Sequence, residues 1–155
     1  MSKTWIEIAG GRIGPVAGTV QYLLNAHGYS VTVDDQIGPA TTSAIAQFQT
    51  DNGLGVDGIV GNQTWPVLIV ETAQGAQGDA VRAIQDQLRY RDLPACLNMT
   101  VDGAFGPLTD AAVRAFQTYV RDNQAVWIDE PMIVDGIVGF NTWYAIVLDL
   151  GPLPE

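Results

Sequence analysis

The sequence predicts an all-α protein made of two small three-helix modules in tandem, with a short N-terminal arm and insertions in the second module. Three observations carry this reading. A ten-residue phrase is used twice, VDGIVGNQTW from Val56 and VDGIVGFNTW from Val134, and a shorter relative stands earlier in each half, VDDQIGPATT from Val33 and VDGAFGPLTD from Val101. An unbroken run of six identical residues in two segments of one chain points to internal duplication. Between the phrases, apolar residues recur at helical spacing.

Each phrase reads as a turn that opens a helix. Asp-Gly is a turn dipeptide, because Gly tolerates positive φ and the Asp carboxylate can hold nearby backbone N–H groups. The apolar residue that follows (Ile37, Ile59, Phe105, and Ile137 or Val138) is expected to tuck under the turn. Gly38-Pro39 and Gly106-Pro107 then place proline at the first helical position, where its missing N–H costs nothing.

In chain order, residues 1–15 form the arm. Thr4 to Ala9 alternates, with Ile6 and Ile8 on one side and Trp5 and Glu7 on the other, which suggests a short edge strand or a clipped-on arm. Gly10, Gly11 and Gly14-Pro15 interrupt it. The first module spans 16–70. Ala17, Val20, Gln21 and Leu24 share a helical face that Gly28 ends; Ala44, Ile45 and Phe48 face inward from a second helix; Trp65 and Leu68 mark a third. Residues 71–78, within ETAQGAQG, read as a linker. The second module, 79–150, repeats the pattern with Val81, Ile84, Gln85 and Leu88, then Ala112, Val113, Phe116 and Gln117, then Trp143 and Ile146. Insertions at 92–100 and 118–133 break the symmetry, the second extending the middle helix before a loop that bears Trp127.

Composition narrows the function. Hydrophobic residues make up 47% and charged residues 15%, as in a folded globular chain. The net charge is −10, and no Lys or Arg lies between Ile13 and Gln77, so nucleic acid and anionic membrane surfaces are disfavoured partners. No run approaches the roughly 18 apolar residues of a membrane span. A lone cysteine, Cys96, excludes an intrachain disulfide.

The pattern V-x-x-[IL]-Q-x-x-L, D-x-x-[IF]-G-P-x-T-x-x-A-[IV]-x-x-F-Q, then V-D-G-I-V-G-x-x-T-W resembles the peptidoglycan-binding-domain-like family of three-helix modules. It covers Ala17 to Leu68 and Val81 to Ile146. The resemblance implies a compact module that attaches proteins to bacterial peptidoglycan through glycan or stem peptide, in the cell wall or another extracellular location. The opening MSKTWIEIAGG lacks the basic-then-apolar pattern of a secretory signal, which leaves a cytoplasmic stage before release open.

The residues give little for catalysis, so the expectation is no enzyme, no cofactor and no metal. His27, the single histidine, is placed at the end of the first helix, where a cation suits the dipole. One His and one Cys are too few for zinc. Asp34/Asp35 and Asp129/Glu130 are adjacent pairs, whereas glycosidase carboxylates face each other across about 5–9 Å. The Asp-Gly turns lack the alternating acidic ligands of an EF-hand.

Asp34, Asp57, Asp102 and Asp135 recur at one place in each turn, and Thr41, Thr64, Thr109 and Thr142 follow seven residues later. They are expected to be turn and helix-cap residues. Gln21, Gln49, Gln85 and Gln117 fit buried amides bonded to the turns. Ligand contacts are sought among non-repeating groups off the apolar faces: Tyr22, Tyr29, Tyr90, Tyr144 and Trp127, whose rings can cover a sugar face, and Arg89, which can pair with a carboxylate. Two functions follow: a non-catalytic peptidoglycan binder whose two modules act by avidity, or a protein–protein adaptor reusing the fold in a phage or secretion-related assembly.

Overall fold

A computed structural model describes residues 4–123 and 130–148. Its helices are α1 (Pro15–Ala26), α2 (Pro39–Asp51), α3 (Trp65–Leu68), α4 (Asp79–Leu88), α5 (Pro107–Asp122) and α6 (Phe140–Val147), with a 3₁₀ turn at Pro94–Cys96. Among the described residues there is no strand, only isolated antiparallel bridges. The first unit contributes α1 to α3 and the second α4 to α6, so the duplication seen in the sequence is a duplication of the path. The second insertion lengthens α5 to 16 residues against 13 in α2. Trp127 lies outside the described residues.

One buried glutamine organises each turn. The Gln49 Oε1 accepts the backbone N–H groups of Asp57 and Gly58, while its Nε2 lies 2.9–3.0 Å from Asp57 Oδ1, the Ile59 carbonyl and Thr64 Oγ1. Gln21, Gln85 and Gln117 make the same set at their own turns, reaching Asp34 and Thr41, Asp102 and Thr109, and Asp135 and Thr142. All four amides are buried. An amide has two hydrogens, so the three acceptors around each Nε2 share them. Each aspartate also accepts the N–H two residues on, closing an Asx turn. Gly58, Gly103 and Gly136 take φ of 71–76° in these turns, and Asp35 takes φ 60° at the matching place in the first.

The aspartates and threonines do not cap helices. Gly38, Gly106 and Gly139 stand at the N-caps of α2, α5 and α6, Thr64 stands at that of α3, and none carries a side-chain cap bond. The reason is reach: the carboxylate is committed to its own turn and the glutamine, and the threonine hydroxyl turns inward to the same amide.

The arm is also duplicated. Ile8 pairs with Val60 and Ile13 with Gln36 in the first unit; Thr72 pairs with Val138 and Gln77 with Ala104 in the second. Residues 71–78, expected as a linker, are therefore held across both turns of the second unit, as the N-terminal arm is across those of the first. The indoles repeat the relation, since Trp65 Nε1 donates to the Ile6 carbonyl and Trp143 Nε1 to the Val70 carbonyl.

The two units share one hydrophobic core. α1 packs along α4, and Gln87 Nε2 donates to Thr19 Oγ1 at 2.7 Å across this seam. Trp5, buried in the first arm, stacks on Trp65 and makes T-shaped contacts with Phe140 and Tyr144 from α6. His27 Nε2 donates to the Leu68 carbonyl, fixing the end of α1 to the end of α3.

Two outcomes are expected. Gln49→Leu leaves the Gly58 N–H and its companions buried without a partner, and should cost about 2–4 kcal/mol in a urea titration. Trp5→Ala should lower the midpoint of a single unfolding transition by about 3–5 kcal/mol equivalent, because it empties a position shared by both units. Two separated transitions in the parent protein would show instead that the units fold independently.

Candidate functional site

Of the six residues singled out for ligand contact, three come together, two stand apart and Trp127 lies outside the described residues. Tyr22 on α1 and Arg89 and Tyr90 just beyond α4 gather around Asp86 at the α1–α4 seam. Arg89 holds the Asp86 carboxylate at 2.7 Å, and its guanidinium lies over the Tyr90 ring at 5.0 Å. Burial pushes the Asp86 carboxyl up, with the Arg89 charge opposing and Asp35 adding to the rise. Burial and the Asp86 charge likewise push the Tyr22 phenol up. Arg89 is thus already committed to an internal carboxylate, which leaves Tyr90, 46% exposed, as the accessible ring of this group.

Tyr29 sits apart. Its hydroxyl donates to Asp51 Oδ2, and this bond raises the phenol while lowering the carboxyl. It borders a shallow hollow formed with Asn25, Gly28, Ser30 and Thr32. Tyr144 is not a surface residue: it is 5% exposed, its ring meets Trp5, and its hydroxyl donates to the Thr4 carbonyl. A helix of eight residues that carries Trp143 inward brings its neighbour against the first unit, so Tyr144 joins the units rather than facing a ligand.

The second unit carries two hollows that its sequence did not announce. One, about 310 Å³, lies between the 92–100 insertion and the start of α5, lined among others by Leu97, Asn98, Met99, Thr100 and Leu108. The other, about 300 Å³, lies beside α6 and includes Glu71, Ile133, Ile137 and Phe140. The available signal was apolar residues placed where nothing needs them buried: Leu97 is 61% exposed, Leu108 82% and Ile133 72%.

The lone cysteine and the turn carboxylates are committed to the fold. The Cys96 thiol is buried and pushed up to about 11, so it stays protonated. No group of three or more His, Cys, Asp or Glu residues is arranged to hold a metal among the described residues. The turn carboxylates are hydrogen-bond acceptors: the Gln21 amide and the Gln36 N–H hold Asp34 below the ordinary value, the Ile59 N–H and Gln49 do so for Asp57, and the Ala104 N–H and Gln85 for Asp102.

A duplicated arm–helix–turn–helix–turn–helix unit, with a glutamine pinning each turn, defines a small helical module used twice. The chain belongs to the family described as "Putative peptidoglycan binding domain", which matches residues 14–68 and 77–121, more than half of the sequence. The second match stops at the 118–133 insertion, beyond which the structure supplies the missing turn and α6. A protein described as "Uncharacterized protein in bpoA1 3'region" from Kitasatospora aureofaciens is 49% identical over 43 residues, covering 28% of this chain and 36% of its own. The chain thus spans about a third of that relative. The crystal structure of the Burkholderia AP3 phage endolysin is similar at a TM-score of 0.42 and 24% identity, over 70% of this chain and 36% of that one.

The depressed turn carboxyls set an acid limit. Their folded values lie below the unfolded value of about 3.9, so between the two the unfolded chain binds more protons. The stability they contribute is complete well above pH 4 and is lost as pH falls through the folded values. Asp86, raised by burial, acts in the opposite sense just above that window. Thermal midpoints should fall as pH drops below about 4, and Asp57→Asn should flatten the slope.

Proposed function

We propose that the protein is a non-catalytic binder of bacterial peptidoglycan, using two modules joined as one body. The observation that carries this reading is the match of both units to the same peptidoglycan-binding family. The committed state of His27, Cys96 and the turn carboxylates supports binding without chemistry. The α1–α4 seam and Trp5 favour two binding faces at a fixed spacing rather than two tethered modules that sample many. Glycan or stem peptide is the partner in this reading, and the cell wall is where it acts. No helix among the described residues is long and apolar enough to cross a membrane.

Purified sacculi test it. The full chain should co-sediment with them, and retention should change little from low to high salt, because a chain of net charge −10 has small electrostatic attraction to a polyanionic wall. Loss of retention on sacculi of several wall types would favour the adaptor role. A steep fall with salt would show that ion pairs, and not the neutral surface, hold the polymer.

A further inference from the structure

We propose that the cleft between the 92–100 insertion and the start of α5 is a subsite for a neutral N-acetylated amino sugar. This rests on the peptidoglycan-binding reading and names the part of the polymer that the second unit takes. Its volume of about 310 Å³ lies at the lower end of the roughly 300–1,000 Å³ usual for small-molecule sites. That suits one ring better than a length of peptide.

The connection between the first helix and the first turn is longer in the second unit than in the first, where Pro15–Ala26 is followed within a few residues by the turn at Asp34. In the second unit the insertion is anchored by the buried Cys96 and the 3₁₀ turn, with Leu93 and Met99 packed against the core. Asn98 takes φ 60° at the lip. Leu97 from the insertion and Leu108 from α5 stand on the two sides of the cleft, 61% and 82% exposed. Two large apolar side chains left in water beside one cavity lose that cost when a methyl group or ring face covers them.

Charge selects among the parts of the wall. Asp102 is the charged residue among those lining the cleft, and its Oδ1 already accepts the Gln85 amide and the Ala104 N–H. No lining cation stands ready for the free carboxylates of a stem peptide, and the chain as a whole is acidic. An N-acetylated sugar is neutral. It offers a methyl group to Leu97 and Leu108, and an amide and hydroxyls to the exposed Asn98 and Thr100.

The test is an NMR titration of the full chain with N,N′-diacetylchitobiose, beside deacetylated chitobiose and the acidic dipeptide L-alanyl-D-isoglutamine. The acetylated sugar should move the resonances of Leu97, Asn98, Met99 and Leu108, and the other two should not. Leu108→Ala, at an exposed position that leaves folding intact, should weaken the sugar at least about fivefold, and Leu97→Ala should do the same. Unchanged affinity in both variants, or cleft resonances that follow the dipeptide instead, would overturn the assignment. Sacculus retention of the parent protein separates the two readings. Retention with silent cleft resonances ends the sugar subsite and leaves wall binding standing. Sugar shifts at the cleft without retention keep the subsite and remove the wall as its source.

Discussion

The fold depends on a side-chain amide that behaves like a piece of backbone. Each turn exposes two N–H groups and a carbonyl that no helix or sheet can satisfy, and each is met by a glutamine projecting from the preceding helix. Glutamine is suited to this because one short group both accepts and donates, so it serves N–H and C=O groups at once. The aspartate and threonine of the turn complete the set around it. A buried network of this kind stabilises only when every member is present, since each missing partner leaves a desolvated polar group. The recurrence of all three residue types at four turns follows from that requirement.

The second constraint is that each unit is small, and its core is completed by an extended arm and by the other unit. Its third helix is short, four residues in α3, and the indole it carries finds its acceptor on an extended arm rather than on another helix. The arm of the first unit then supplies Trp5, which lies between Trp65 and the α6 rings of the second. Because the arm of the second unit is also the connection from the first, there is no slack segment between them. Two modules of marginal size gain a common core in this way, consistent with the larger fraction of surface that a longer chain can bury.

This fusion also decides where a ligand can go. Faces that a single module would show to solvent, along α1 and α4, are spent on the seam, and Tyr144 and Arg89 are spent on internal partners. What stays open is peripheral, and on the second unit it is shaped by insertions. The candidate site therefore differs between the units although their turns are the same.

The sequence by itself determined the all-α duplication, the turns and the helices, because Asp-Gly dipeptides, Gly-Pro helix starts and apolar periodicity act over a few residues and leave local marks. It also placed Gln21, Gln49, Gln85 and Gln117 at buried turn contacts, since their spacing repeats with the turns. Only the tertiary structure decided that residues 71–78, which join the units, are also held as an arm, that the aspartates, legible as turn residues, do not cap helices as well, and that Tyr144 is interior while Leu108 is not. Those outcomes depend on which surfaces meet across dozens of residues, as when Tyr144 reaches Thr4. Spacing along the chain carries no record of such contacts, because burial is fixed by the partner that arrives and not by the residue that waits.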